Sequence, residues 1–445
     1  MTPSARIQAS IELLDAIFDT PRPADGVVAA FFRSRRYIGS GDRADVSERV
    51  YAILRHHARL GWWLERAGLP PVGGRLRVTA WLVLADGMGP KEIGRLFSGD
   101  RYAPAPPTEI EQALIRTLKG QQIDHPDMPF AVRAECPGWA AEPLRRAFGD
   151  WFDAELEALL SPAPLDIRVN ELKSLRNDVQ KSLKASGVSA EPTRLSPLGL
   201  RVEGRPPLAG HGLFKAGVIE VQDEGSQILA LLADARPGMQ VVDFCAGAGG
   251  KALAMAARMR GKGRIVACDV SEGRLIRAKE RVRRAGIDNI EPKTLSSERD
   301  KWVKRQKGKF DRVLIDAPCS GTGAWRRNPD ARWRDTDLSA LTKLQADILE
   351  SASRLAKPGG RVIYATCSLL PDENEDRIAS FLKDHQEFRP LPVPEVWGEA
   401  VGGACPGDGP FLRLTPARHR TDGFFVAILE RLPAEPAIDK EPRAA

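Results

Sequence analysis

Apolar positions in the first 150 residues recur at helical spacing. Ile7, Ile11, Leu14 and Phe18 fall on one face, and Val46, Val50, Ile53 and Leu60 repeat the pattern after Gly39-Ser40-Gly41-Asp42. This predicts an all-α domain over 1–150. Residues 102–107 carry three prolines, which remove amide donors and bias the preceding residues away from helix, so they are expected as a loop. Over 151–224 the pattern changes to a strand at 165–170, a helix at 175–185 and strands at 191–195 and 200–203, a small α+β module of the kind that often binds RNA.

From residue 225 to 432 short apolar runs at 240–244, 264–269, 310–316 and 360–365 alternate with amphipathic stretches. Runs of this kind fit strands buried on both faces, and their alternation with helices predicts an α/β, doubly wound parallel sheet with ligand chemistry at the carboxyl ends of the strands. One helical stripe combines Leu275, Ala278, Val282 and Ala285; another combines Leu338, Leu341, Leu344, Ile348 and Leu355 and is expected to stop at Lys357-Pro358-Gly359-Gly360. Residues 423–429 supply a late strand, and 433–445 are expected to be a disordered tail.

No apolar run approaches the roughly 18 to 20 residues that span a bilayer. Glu12 and Asp15 interrupt the N-terminal stretch, so a cytoplasmic protein without a membrane partner is expected. The six cysteines include no Cys-x-x-Cys pair and the six histidines are scattered, which argues against a disulfide framework and against a metal site. Nothing suggests a coiled coil or a large apolar face, so a monomer is expected.

A net charge of +7 and an isoelectric point near 9.1 are compatible with a polyanionic partner but do not establish one. Local clustering is more specific: Lys301, Lys304, Arg305, Lys307, Lys309 and Arg312 precede one cysteine motif and Arg326, Arg327, Arg332 and Arg334 follow it, with Trp302, Trp325 and Trp333 interleaved. Either this is a solvated surface or it is a phosphate-gripping rim with stacking platforms.

Val241 to Lys251 run from a strand into a helix through Cys245-Ala246-Gly247-Ala248-Gly249-Gly250-Lys251, a turn whose backbone can approach a ligand closely; Asp269, ending the next strand, can grip a ribose. This much fits a nicotinamide enzyme as well as an adenosyl one. Two further motifs separate them: Asp316-Ala317-Pro318-Cys319-Ser320-Gly321-Thr322-Gly323 and Tyr364-Ala365-Thr366-Cys367-Ser368, each with its cysteine after a predicted strand among small and polar residues. Cytosine carbon 5 reacts with a methyl cation donor only after a thiolate has added to carbon 6; a carboxylic acid must then face ring nitrogen 3, and a base must remove the carbon 5 proton. Asp316, Cys319 and Cys367 meet that inventory, without a residue-based order for the two thiols. Cys136, Cys268 and Cys405 read as small buried hydrophobes.

Together these motifs resemble the RsmB/NOP/Sun family of RNA cytosine-5 methyltransferases, which use S-adenosylmethionine. The likeness extends through Arg326-Arg327-Asn328-Pro329-Asp330 and Leu369 to Glu375, and more weakly through Arg168-Val169-Asn170, 221–224 and 419–425. The resemblance implies that Cys367 is the nucleophile and Cys319 assists product release. It also implies that Asp316 touches cofactor and cytosine, that Asp269 binds the cofactor ribose, and that Lys251 closes the turn. The N-terminal helices, with Asp42-Arg43-Ala44 and 50–55, resemble a NusB-type RNA-binding domain, which implies small-subunit ribosomal RNA as substrate; transfer RNA methylation and a noncatalytic role in ribosome assembly are the alternatives. Two departures stand out: Ala248 replaces a common proline, and the acidic residue expected after the third strand to approach the adenine is missing from Thr294-Leu295-Ser296-Ser297-Glu298, leaving Ser297 or Glu298 to substitute.

Overall fold

The computed structural model describes residues 1–433; the expected tail, apart from Pro433, lies outside the described residues. Two compact units are present, one of residues 1–162 with 324–336, the other of residues 163–323 with 337–433 of the described residues.

The first unit is helical, beginning with Pro3–Phe18, Ala24–Ser34, Ser40–Arg55 and His57–Arg66. Thr2 caps the first helix by accepting from the Ala5 amide at 3.2 Å, and Pro3 occupies a first-turn position where no amide partner is needed. Ile7, Ile11 and Leu14 are buried as the 3.6-residue period requires, but Ile17 rather than Phe18 completes the stripe. The boundary expected at 150 falls later. Phe152, Leu156 and Leu159 bury one face of the helix Phe152–Leu160, and Phe152 stacks on Phe130 with ring centroids 5.6 Å apart. The segment 324–336, expected to belong with the catalytic half of the chain, is also part of this unit: Trp325 is fully buried, Arg332 donates to the Leu159 carbonyl at 3.2 Å, and Trp333 stacks on His57.

The second unit contains two sheets. β1 (Leu165–Val169), β2 (Ala190–Pro192), β3 (Gly199–Val202) and β4 (Ile219–Val221) form a four-stranded antiparallel sheet in the order β2-β3-β1-β4, backed by the helix Arg176–Ala185. β4 is too short to leave a sequence pattern. Although a boundary was expected at 224, this module shares a unit with the larger sheet: Asn170, beyond β1, donates to the Ala285 carbonyl at 3.1 Å, and Glu224 accepts from the Ser196 amide at 2.9 Å.

The larger sheet holds β5 (Gln240–Asp243), β6 (Arg264–Asp269), β7 (Ile290–Thr294), β8 (Phe310–Asp316), β9 (Ala356–Thr366), β10 (Phe388–Leu391), β11 (Leu412–Leu414) and β12 (Phe424–Arg431). Its order is β10-β12-β9-β8-β5-β6-β7, with β11 beside β12. β5 to β9 are parallel and β12 is antiparallel to β9. The chain runs outward from β5 through β6 to β7 and then returns to place β8 on the other side of β5, so the crevice outside the carboxyl ends of β5 and β8 is the topological switch point. Lys357-Pro358-Gly359-Gly360 is not the break that was expected. The helix Leu338–Ser353 ends earlier, and these residues form an irregular start to β9, where Phe310 and Arg312 face Ala356 and Arg361.

Candidate active site

The glycine turn leaves β5 and enters the helix Gly250–Arg258. Gly247 has φ +54° with open space where a side chain would be, whereas Gly249 has φ +78° and a β-carbon there would lie 3.0 Å from Ala278. The turn is therefore packed on one side and open on the other. Asp269, at the end of β6, accepts from the Gly247 amide at 2.9 Å and the Ser271 amide at 2.7 Å. Each carboxylate oxygen retains a second acceptor site, which suits a ribose diol.

Asp243 ends β5 with a side chain that is buried and forms no hydrogen bond of ordinary geometry. Burial pushes its pKa up to about 7, against the opposing charge of Lys251. Lys251 reaches across to Asp316, the last residue of β8, with Nζ 2.6 Å from Oδ2. Burial works against this ammonium, but Asp316 and Asp243 outweigh it and hold its pKa above the ordinary value. Cys245 sits beneath the turn; burial, then the charges of Asp316 and Asp243, push its thiol well up, so it packs there as a neutral group.

Cys319 and Cys367 follow the adjacent parallel strands β8 and β9, and their sulfurs lie 3.3 Å apart. The hydrogen bond with Cys367, then burial, raise the Cys319 thiol well above its usual range, and either sulfur can be the donor of the contact. The loops carrying them are locked by a buried polar belt that sequence reasoning did not assign. Glu373 accepts from the Ser320 amide at 2.8 Å, from the hydroxyls of Ser320 and Ser368, and from Gln345 Nε2 at 2.8 Å. Gln345 also donates to the Pro318 carbonyl at 2.9 Å, and Thr322 Oγ1 accepts from the Leu369 amide at 2.8 Å. The stripe read through Leu344 is displaced by one residue, since Leu344 is exposed and Gln345 is buried. The available signal was an acid in Pro371-Asp372-Glu373-Asn374 directly behind apolar Leu369-Leu370, where a charge needs buried donors. Gly323 and Gly423 complete the lock. The Gly323 amide donates to the Cys367 carbonyl at 2.9 Å, and a β-carbon on Gly323 would lie 2.3 Å from the Gly423 carbonyl oxygen.

Part of the Arg/Trp run is buried and so not available to a phosphate-gripping rim, while Lys301, Lys304 and Arg305 are exposed. Arg312 is buried against Asp234 at 3.1 Å, Trp302 packs in the sheet core, and Trp325, Arg326 and Arg332 are buried in the helical unit. Lys307 and Lys309 are exposed but precede β8, at the opposite end of that strand from Asp316, about 20 Å away at 3.3 Å per residue. After β7, the carboxylate of Asp300 is spent on a local turn, where it accepts from the amides of Ser296 at 2.9 Å and Trp302 at 2.8 Å. Ser297 accepts from the Arg299 amide at 3.1 Å and Glu298 pairs with Arg299 at 3.5 Å.

Residues 230–430 match the family model described as 16S rRNA methyltransferase RsmB/F, and 136–209 match an RsmF/B-like ferredoxin-like domain. The chain is 31% identical over 369 residues to ribosomal RNA small subunit methyltransferase B of Yersinia enterocolitica, covering 79% of this chain and 85% of that protein. The chain belongs to the RsmB/F family of S-adenosylmethionine-dependent RNA methyltransferases. The Yersinia pseudotuberculosis relative of the same name is 30% identical over 410 residues, covering 88% of this chain and 91% of its own. Among solved structures, PH0851 is 27% identical with a TM-score of 0.80 over 97% of this chain and 99% of its own. A methyltransferase homologue from Pyrococcus horikoshii is 29% identical with a TM-score of 0.58 over 68% of this chain and 97% of its own.

The RsmB/F cofactor fits the residues present: an open glycine turn at a helix N-terminus and, at the end of β6, an acid with acceptor sites to spare for a ribose diol. Among the described residues, no cluster of three or more His, Cys, Asp or Glu is placed to hold a metal, and no helix is long and apolar enough to cross a membrane.

Proposed function

We propose that the protein methylates carbon 5 of a cytidine in small-subunit ribosomal RNA, with Cys367 as nucleophile, Cys319 as the group that permits release, and Asp316 facing the ring. The observation that carries this reading is the 3.3 Å approach of the two sulfurs after adjacent strands, beside the Asp316–Lys251 pair. The names of the Yersinia relatives support the substrate class.

Bound at the glycine turn, S-adenosylmethionine supplies an electrophilic methyl group; the protein must make carbon 5 nucleophilic. The family resemblance assigns the attack to Cys367, and the Cys319 thiol, 3.3 Å away and held above its usual range, keeps its proton in the resting pair. The Cys367 thiol gives up its proton to water and its sulfur bonds to carbon 6; the electron pair of the 5,6 double bond shifts toward carbon 4, and charge collects on nitrogen 3, where the Asp316–Lys251 pair provides a hydrogen bond. Once Cys367 is alkylated Cys319 releases its own thiol proton to water, and once carbon 5 is methylated the Cys319 thiolate takes the proton from it. The 5,6 double bond re-forms and the carbon–sulfur pair returns to Cys367. Cys319 is suited to this because alkylation of Cys367 removes the hydrogen bond and charge that had kept it protonated.

Incubation with ribosomal RNA and S-adenosylmethionine tests the roles. Cys367→Ala is expected to form neither adduct nor product, a loss of more than about a thousandfold, while Cys319→Ala accumulates a denaturation-resistant protein–RNA complex. Equal adduct in both variants overturns the assignment, and undiminished product from Cys367→Ala overturns the function.

A further inference from the structure

We propose that the four-stranded module tunes cofactor affinity, with Arg168, Gln222 and the Glu220–Arg281 pair as positioning residues for the glycine turn. Arg168, on β1, is buried, and its Nη1 donates to the Gly250 carbonyl at 2.8 Å and to Gln222 Oε1 at 2.5 Å. Gln222, just beyond β4, is anchored in turn by donating to Ser226 Oγ at 3.1 Å. Glu220, on β4, accepts from Arg281 at 3.0 Å and pairs also with Arg284, and the fixed Arg281 donates to the Ala248 carbonyl at 2.8 Å. A β-carbon on Gly250 would lie 3.5 Å from Arg281 Nη2 and 3.6 Å from Gln222 Nε2, so these side chains also close the back of the turn.

Two carbonyls of the turn are therefore held from the side away from its opening. Because the peptide unit is planar, fixing the Gly250 carbonyl also fixes the opposed amide of Lys251, one of the first amides of the helix and without an intrahelical partner. The module thus orients amides at the helix N-terminus before any ligand arrives, and it does so through strands that carry no residue of the crevice itself. Such ordering lowers the cost of binding. The inference rests on S-adenosylmethionine as cofactor and not on the cytosine chemistry, so the two can fail separately.

The test is titration calorimetry of S-adenosylmethionine into the full chain carrying Arg168→Met, Arg168→Lys or Gln222→Leu, with melting of the ligand-free proteins and steady-state kinetics alongside. Arg168→Met is expected to raise the Kd and the KM for S-adenosylmethionine by about ten- to a hundredfold, the range for a lost charged hydrogen bond. It should leave the KM for RNA and kcat at saturating cofactor near wild type. Arg168→Lys should recover part of the affinity, and Gln222→Leu should show a smaller loss in the same direction. A folded Arg168→Met protein with wild-type Kd overturns the proposal, as does a lowered melting temperature with unchanged affinity. If Arg168→Met does not fold, an unchanged Kd in Gln222→Leu overturns it.

Discussion

Residues 316–323 and 324–336 are consecutive in the chain and equally rich in side chains able to do chemistry, yet they end in different surroundings. The first stretch carries Cys319 within 3.3 Å of Cys367, held by Glu373, Gln345 and Thr322. In the second, Trp325 and Arg332 are buried in the helical unit, the guanidinium lying 4.8 Å from the Trp325 ring centroid. Composition leaves the second open as a nucleic-acid surface, because arginine and tryptophan are the usual phosphate and base partners. What decides is the set of partners each stretch meets: Glu135, the Leu159 carbonyl and the His57 ring consume the second, whereas the first meets groups that orient the thiols without blocking them.

The largest effect that can break this contrast is expected from Arg332→Ala, which should cost the helical unit about 3 to 5 kcal/mol, because it empties a packed site and strips the buried Glu135 of a neighbouring cation. Denaturant unfolding measures it; a loss of RNA affinity with unchanged stability would restore the rim reading. Glu135 provides a second handle. Burial raises its pKa from 4.5 to about 7, against the amides of Arg59 and Ala58 and the charges of Arg332 and Arg59. The folded protein then holds a proton that the unfolded chain has released, so this contribution is fully present below pH 4.5 and is lost as pH rises through about 7, a change of about 3 kcal/mol. Glu135→Gln should flatten that part of the stability–pH profile; an unchanged slope would assign it to another group.

Smaller effects sharpen the catalytic half. Gly323→Ala forces a β-carbon against the Gly423 backbone and should cost about 2 kcal/mol. Because the Gly323 amide also holds the Cys367 carbonyl, activity should fall further than stability explains at temperatures where the variant is folded. Glu373→Gln keeps the shape but replaces one acceptor oxygen with an amide, leaving Ser320 and Ser368 with one acceptor fewer. Adduct formation should slow about tenfold, matching 1 to 2 kcal/mol. Rapid-quench measurement of adduct growth checks this, and an unaltered rate would mean that the polar belt serves folding only.

Much of the catalytic unit was legible because β5, β6, β8 and the end of β9 are apolar on both faces, and because each cysteine stands just past such a run. β7 was not, since an edge strand reading Ile-Glu-Pro-Lys-Thr carries no apolar pattern. Gln345 was hidden for a related reason: hydrophobic periodicity selects Leu344 beside it, and only a buried acid from a distant loop explains why a glutamine points inward. The Arg168–Gly250 contact depends on two residues 82 positions apart, a relation no local pattern contains.

The central claim is that Cys367, not Cys319, forms the bond to the ring. RNA carrying 5-fluorocytidine tests it directly, because fluorine cannot leave carbon 5 as a proton does and the adduct should persist in the wild-type protein. Proteolysis and mass spectrometry of that complex should place the nucleotide on the peptide containing Cys367; a nucleotide on Cys319, or no linkage to either, contradicts the account.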